Sequence, residues 1–179
     1  ARLAADGVPL RLILVPHEPT PPHLARTEAA LDAHALPHAR LSSVEAGGPV
    51  PAVTLVDRVG VLGDLYALAD LAYVGGGFGT AGLHSVLEPA AFGAPVIIGP
   101  RHANAREAAE LIAHAAAFEV TGADDLAETI RRLTDTGLRQ RSGSAARAYA
   151  EAGRGAALRG ARVIERLLDG GPSARPTGG

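Results

Sequence analysis

A glycine-rich loop is the part of this sequence whose residue types and spacing are best suited to bind a ligand. Its five glycines lie between residues 75 and 82: Gly75, Gly76, Gly77, Gly79 and Gly82. Glycines leave the backbone open to close approach by a ligand. His84, Ser85 and Glu88 follow, and their side chains can donate or accept hydrogen bonds. The spacing matches neither G-x-G-x-x-G nor G-x-x-x-x-G-K-[ST], so on its own it leaves nucleotide binding and a simple tight crossover equally open.

The residues around this loop predict a strand, the loop, a helix and a second strand. The apolar run at 71–74 suits a buried parallel strand. Ser85 stands where an N-cap belongs and Glu88 lies three residues later, which is capping-box spacing for a helix over 86–92. Gly93 ends that helix, and a strand follows at 95–98. Such a unit presents backbone N–H groups at the carboxyl edge of a sheet, where anionic ligands bind.

Similar alternation along the chain predicts an α/β fold, namely a doubly wound, Rossmann-like parallel sheet with two terminal helices. Further strands are expected at 10–15, 39–43, 52–56 and 117–120. Further helices are expected at 21–34, 62–69, 105–115, 123–134, 137–151 and 155–168. Thr20 and Thr121 are the expected caps of two of these helices. Residues 1–9 are expected to be a linker from something upstream, 10–169 one folded domain, and 170–179 a disordered tail.

The loops after the strands of such a sheet lie along one edge, and most polar groups of this alanine-rich chain fall in those loops. The groups expected there are Pro16, His17, Glu18, Asp57, Arg58, Gly60, His84, Ser85, Glu88, Arg101, His102 and Asn104. Glu88 would accept hydrogen bonds from ribose hydroxyls, because a carboxylate repels phosphate. Asn104 and Glu107 also have capping-box spacing, so a cap is an alternative role for that pair. The cleft favours an anionic, polyhydroxylated ligand.

The composition excludes several functional classes. The 179 residues suit one domain, and the absence of Cys excludes disulfides, thiolate nucleophiles and cysteine metal sites. A net charge of -2, with only three Tyr and three Phe, gives no signature of nucleic-acid binding. The seven His have no metal-ligand spacing, and there is no G-x-S-x-G, so neither a metal, another cofactor nor a serine nucleophile is expected. The chain begins at Ala1 without any Met, and we expect a fragment or a processed product.

Several stretches resemble a known enzyme family. Glu88, Gly93 and Pro95 resemble the E-x-x-x-x-G-x-P signature of the nucleotide-sugar domain in GT-B glycosyltransferases. The stretches LVPHEP at 14–19, ADLAYVGG at 69–76 and GLHSVLE at 82–88 resemble the C-terminal domain of 3-deoxy-D-manno-octulosonic acid (Kdo) transferases. The order and spacing hold from about residue 10 to residue 135. The resemblance implies a donor-binding domain of an enzyme that moves Kdo from CMP-Kdo to a lipid A precursor in lipopolysaccharide core biosynthesis.

The resemblance also implies a set of binding residues for the CMP moiety. They are Pro16, His17, Gly60, Gly76, Gly77, His84, Ser85, Val86, Leu87, Glu88, Asn104 and Glu107. His84 and Arg101 would stabilise the departing phosphate in place of a metal. The family's catalytic base and its acceptor- and membrane-binding surface belong to the N-terminal domain, so no catalytic residue is expected in this soluble fragment. The implied partners are CMP-Kdo and the lipid A precursor, not nucleic acid, with peripheral association of the intact protein at the cytoplasmic face of the inner membrane.

Some positions depart from the family pattern. The family commonly has Pro-Arg where this chain has Pro16-His17, and Gly-Glu where it has Gly60-Val61. It often has Gly-Gly-His-Asn where this chain has Gly-Leu-His-Ser at 82–85. A permanent cation near the donor is thereby lost. Two alternatives stay open: a different GT-B glycosyltransferase or sugar-nucleotide epimerase that uses a UDP-sugar, and a non-catalytic α/β scaffold.

Overall fold

The computed structural model describes residues 2–80, 82–103 and 105–169, in which six short strands alternate with helices. The strands are β1 (Leu12–Leu14), β2 (His38–Arg40), β3 (Val53–Leu55), β4 (Ala72–Val74), β5 (Val96–Ile98) and β6 (Ala117–Glu119). The helices are α1 (Arg2–Ala5), α2 (Pro21–Ala33), α3 (Leu41–Glu45), α4 (Leu62–Tyr66), α5 (Leu87–Ala91), α6 (Arg106–Ala113), α7 (Ala123–Leu133), α8 (Thr136–Gly153) and α9 (Ala156–Asp169).

All strand pairs are parallel, which confirms the predicted α/β class. The strands form two three-stranded sheets, with orders β1-β3-β2 and β4-β5-β6. The expectation was one doubly wound sheet. Each strand is only three residues long, and within the described residues no hydrogen-bonded ladder joins β1 to β4. The two sheets therefore meet through their loops.

The core is centred on β5, whose three residues are all fully buried. Val96 and Ile98 pack in one cluster with residues of β4, α5, α6 and α8. Ile97 points to the opposite face and packs with Val120 and Leu133. A strand buried on both faces reads as a continuous apolar run, and this is why Val-Ile-Ile was recognisable in the sequence. Because β5 is packed on both faces, its last residue is held in place, and the segment that follows β5 starts from a defined position.

Helix α5 starts differently from the prediction. Its N-cap is Val86, with φ −93° and ψ −15° and no side-chain cap bond, so the capping box of Ser85 and Glu88 was wrong. A side-chain cap requires an extended backbone at the cap position, and this backbone is already helical. The cap predicted at Thr121 was also wrong, because the N-cap of α7 is Gly122. Thr20 does occupy the N-cap of α2, but its side chain makes no cap bond.

Helix α8 holds α5 in place from behind. Gly143 of α8 lies so close to the carbonyl oxygen of Gly93 that any Cβ at position 143 would collide with that backbone atom. Arg147 donates from Nη2 to the carbonyl of Phe92 at 2.8 Å, which satisfies the end of α5. Glu88 is thus carried on a short helix whose position is set by close backbone packing.

Three features fall outside the sequence expectations or the described ranges. Residues 41–45 form helix α3, where the end of a strand and a loop were expected. Residues 2–5 of the expected linker are helical, and Arg131 of α7 forms an ion pair with Asp6. The expected disordered tail at 170–179 lies outside the described residues.

Across the part of the chain that the structure describes, no helix combines the length and apolar character that crossing a membrane requires.

Candidate functional site

The glycine loop after β4 packs directly on the segment after β5. A Cβ at Gly77 would lie 2.6 Å from the backbone nitrogen of Gly99, so neither residue can carry a side chain without a shift of backbone. Gly76 has φ +94°, and its Cβ would collide with the carbonyl of Gly82. Arg101 N–H donates to the carbonyl of Gly77 at 2.9 Å. The two loops therefore form one backbone surface that accepts no Cβ at its centre.

The loops after β1 and β4 meet through two histidines. The rings of His17 and His84 stack with centroids 4.9 Å apart and planes 28° from parallel. The backbone N–H of His84 donates to the carbonyl of Gly75 at 3.2 Å, which ties this residue to the glycine loop. Both side chains are exposed. Residues predicted from separate motifs are thus brought together at the edge between the two sheets.

A groove beside His17 contains residues that the sequence reasoning did not select. Its volume is about 390 Å³, and its lining consists of Pro16, His17, Glu18, His23, Arg26 and Thr27. Three of these residues share one face of α2, because their spacing is i, i+3 and i+4. His23 was expected to be merely solvated, but its Nδ1 lies 2.9 Å from the carbonyl of Glu18 and braces the loop. Arg26 places a permanent positive charge in the groove that holds His17.

Glu88 lies in the first turn of α5 with its side chain exposed. Tyr66 of α4 is its neighbour: burial, and secondarily the negative charge of Glu88, raise the pKa of the Tyr66 phenol. The Tyr66 ring also contacts Phe92, with centroids 6.4 Å apart. The exposed carboxylate of Glu88 is therefore near enough to Tyr66 for its charge to be felt by the phenol.

The residues next to Glu88 differ in how much of each side chain a ligand could contact. Ser85 is exposed, and Leu87 is 39% exposed. The side chain of Val86 is only 4% exposed and packs in the core, so this residue can offer a ligand its backbone but not its side chain. Helix α5 has only five residues. A helix this short has a weak dipole, so the side chains near it matter more for anion binding than its N-terminus does.

The loop after β3 is held to α3 by hydrogen bonds of Asp57 and by an ion pair of Arg58. Asp57 accepts from the backbone and the hydroxyl of Ser42; burial raises its pKa, but these hydrogen bonds outweigh burial and leave the pKa lowered. Arg58 donates to both carboxylate oxygens of Glu45, with Nη2 at 2.7 Å from Oε1. Gly60, at φ +86°, makes the exposed turn that follows. Asp57 and Arg58 thus brace the turn at Gly60 against α3.

The segment after β5 carries the remaining predicted residues. The Arg101 side chain is exposed, and its Nη1 lies 3.5 Å from the carbonyl of Gly79. Glu107 is exposed in the first turn of α6, whose N-cap is Ala105. Asn104 lies outside the described residues. His102 Nε2 is 2.6 Å from Oε2 of Glu119, a pairing between distant positions that no local motif signals.

The assembled edge has the chemistry of a site for a phosphate-bearing nucleotide. Beside the closely packed glycine loop lie the stacked imidazoles of His17 and His84, the guanidinium groups of Arg26 and Arg101, and the exposed carboxylate of Glu88. Cations and N–H donors suit phosphate, and a carboxylate suits vicinal hydroxyls. Within the described ranges, no group of three or more His, Asp or Glu is arranged to hold a metal ion.

Comparison with known proteins gives the relatives of this chain. No family model matches it. The chain is 35% identical over 171 residues to the 3-deoxy-D-manno-octulosonic acid transferase of Bordetella pertussis, which covers 94% of this chain and 39% of that protein. It is 39% identical over 82 residues to the enzyme of the same name from Aquifex aeolicus, covering 45% of this chain and 23% of that protein. The chain thus spans about two fifths or less of the length of these relatives.

A solved structure shares the fold. The C-terminal CMP-Kdo-binding domain of WaaA from Acinetobacter baumannii superposes with a TM-score of 0.63 and 24% identity, covering 84% of this chain and 76% of that one. This likeness confirms the predicted Rossmann-like α/β fold. The sequence of the chain is therefore similar to that of 3-deoxy-D-manno-octulosonic acid transferases, and its fold is that of the C-terminal domain of WaaA.

Proposed function

We propose that this chain is the donor-binding domain of a glycosyltransferase that moves Kdo from CMP-Kdo to a lipid A precursor. The observation that carries the proposal is the 35% identity to a Kdo transferase along 94% of this chain. The stacked pair His17 and His84 adds support, because it brings two loops together next to the glycine loop. The structural neighbour named for CMP-Kdo binding has the same fold.

In the proposed site, each group has a role that follows from its chemistry. The CMP phosphate lies beside the glycine loop that contains Gly76 and Gly77, within reach of the two imidazoles. The ribose hydroxyls donate to Glu88, whose carboxylate is exposed. Pro16, Gly60, Ser85, Leu87 and Glu107 complete the proposed lining, with the backbone of Val86.

Charge develops on the phosphate as the bond from Kdo to CMP breaks. His84 and Arg101 would stabilise that charge by hydrogen bonding and Coulomb attraction, so the departing CMP needs no metal ion. The acceptor hydroxyl attacks the anomeric carbon of Kdo, and a base outside this chain takes its proton. In the intact protein, we place that base, the lipid A precursor site and the peripheral contact with the cytoplasmic face of the inner membrane in the remaining part of the molecule.

The test of the leaving-group role is turnover by the intact protein. Release of CMP from CMP-Kdo in the presence of a lipid A precursor should fall about a hundredfold in His84→Ala, within the range for loss of one charge-stabilising donor. His34→Ala, at the far end of α2, is the matched control and should keep full turnover. An unchanged rate in His84→Ala would remove His84 from the mechanism, and no CMP release by the parent protein would contradict the function itself.

A further inference from the structure

His102 connects the segment after β5 to the end of β6. Its Nε2 lies 2.6 Å from Oε2 of Glu119, so Nε2–H donates to the carboxylate. The His102 side chain is 15% exposed and that of Glu119 is 42% exposed. A hydrogen bond to a charged acceptor gains strength where water is partly excluded, so this contact holds the ring firmly.

The same segment is tied to the glycine loop on its other side. A Cβ at Gly99 would lie 2.6 Å from the carbonyl of Gly77, and Arg101 N–H donates to that carbonyl at 2.9 Å. Residues 99–102 are thus clamped between the glycine loop and β6. A shift of His102 would be passed to the neighbouring Arg101 N–H and from there to Gly77.

Glu119 is the partner that sets the orientation of the ring. The other nitrogen of His102, Nδ1, is buried and has no hydrogen-bond partner among the residues that the structure describes. Removal of the carboxylate would leave both ring nitrogens without a described partner. A buried polar group without a partner is unfavourable, so the side chain would leave its position to reach water.

We propose that the His102–Glu119 pair positions the glycine loop and Arg101 for CMP binding. His102 is a positioning residue in this proposal, because it acts through Arg101 N–H and Gly77 and does not touch the donor. The choice of CMP as ligand rests on the function proposed above. The clamp itself belongs to the ligand-free protein and can be measured without any nucleotide.

Amide hydrogen exchange tests the clamp directly. In Glu119→Ala, Arg101 N–H should exchange about tenfold faster, since its segment opens more often. Val120 N–H, which donates to the carbonyl of Ile98 at 2.9 Å, is the internal control and should keep its rate. Glu119→Gln keeps an acceptor oxygen for Nε2–H and should restore slow exchange at Arg101. Unchanged exchange at Arg101 in Glu119→Ala, or an equal acceleration at Val120, would overturn the proposal.

Titration with CMP then tests whether the clamp serves binding. Glu119→Ala should bind CMP about tenfold more weakly, while Glu119→Gln should stay close to the parent protein. Glu128→Ala removes a different carboxylate from an ion pair, on α7, and should bind as the parent does. Parent-like CMP affinity in Glu119→Ala, despite faster exchange at Arg101, would contradict the positioning role. Failure of the parent protein itself to bind CMP would contradict the proposed function, and the exchange result would still decide the clamp.

Discussion

The imidazole rings of His17 and His84 stack with their centroids 4.9 Å apart, although 67 positions separate them in the sequence. His17 follows β1 in one sheet, and His84 lies beyond β4 in the other. The contact therefore joins the two three-stranded sheets at the edge where their loops converge. A nucleotide bound there would touch both halves of the chain, so changes to either histidine should alter binding.

His17→Arg should tighten CMP binding about fivefold. A guanidinium carries a permanent charge and can pair with a phosphate through two hydrogen bonds, whereas an imidazole offers one N–H at a time to a given anion. Isothermal titration with CMP measures the change. His34→Arg adds the same charge at the end of α2 and should leave the affinity as it is. Weaker binding in His17→Arg would place the phosphate elsewhere.

Glu88→Ala should weaken CMP binding about tenfold, as expected for loss of a charged hydrogen-bond acceptor. If the carboxylate accepts from the ribose, the parent protein should prefer CMP to 2′-deoxy-CMP, and the variant should lose that preference. Competition titrations with the two nucleotides report it. Glu165→Ala, on the exposed face of α9, is the control. A variant that still distinguishes the two nucleotides would assign the ribose to another residue.

Gly77→Ala should destabilise the fold by about 1–3 kcal/mol, because the new Cβ meets the Gly99 backbone at 2.6 Å and cannot be relieved by a side-chain rotation. Urea unfolding measures the loss. In Gly63→Ala, the added methyl has nothing within 4 Å and lies in helix α4, so stability should rise slightly. Equal stability in the two variants would show that the glycine loop does not pack on β5 as described.

In an alkaline titration, Tyr149 should lose its proton at a higher pH than the other tyrosines. Its hydroxyl donates to Glu110, and this hydrogen bond, with burial, raises its pKa to about 12. A raised folded-state pKa stabilises the protein below the ordinary value of about 10. That contribution is lost as the pH rises through about 12. Phenolate absorbance in an alkaline titration, compared with Tyr149→Phe, identifies the late step.

A change at Glu110, which accepts the hydrogen bond from Tyr149, tests the cause of the raised pKa. Glu110→Gln removes the negative charge and should bring the late ionisation back toward the ordinary pKa of about 10. Tyr73→Phe is the matched control, since it removes a different tyrosine and should leave the late step intact. A late step that survives in Tyr149→Phe would contradict the assignment.

The parts predicted correctly are those set by local pattern. Apolar runs such as Val96-Ile97-Ile98 identify buried strands, and clustered glycines identify the loop that follows β4, because both signals are local. The capping box at Ser85 failed because α5 begins one residue later than predicted, with Val86 at its N-cap in a helical backbone conformation and with its side chain packed in the core. Local capping preference is small and tertiary packing overrides it.

The pairings missed are those between distant positions. His102 and Glu119 lie 17 positions apart, and nothing local to either residue signals the contact. Arg26 was not selected from the sequence, because its closeness to His17 depends on how α2 packs beside the loop after β1. The residues proposed to bind CMP remain a prediction, since their contact with a nucleotide has to be measured.

The central claim is that this chain binds the donor through its CMP moiety, and titration with three nucleotides tests it most directly. Calorimetry with CMP, UDP and GDP under the same conditions should give preferential binding of CMP. Glu88→Ala should reduce that binding, with Glu165→Ala as the control. A preference for UDP, or binding of CMP no tighter than that of GDP, would contradict the account.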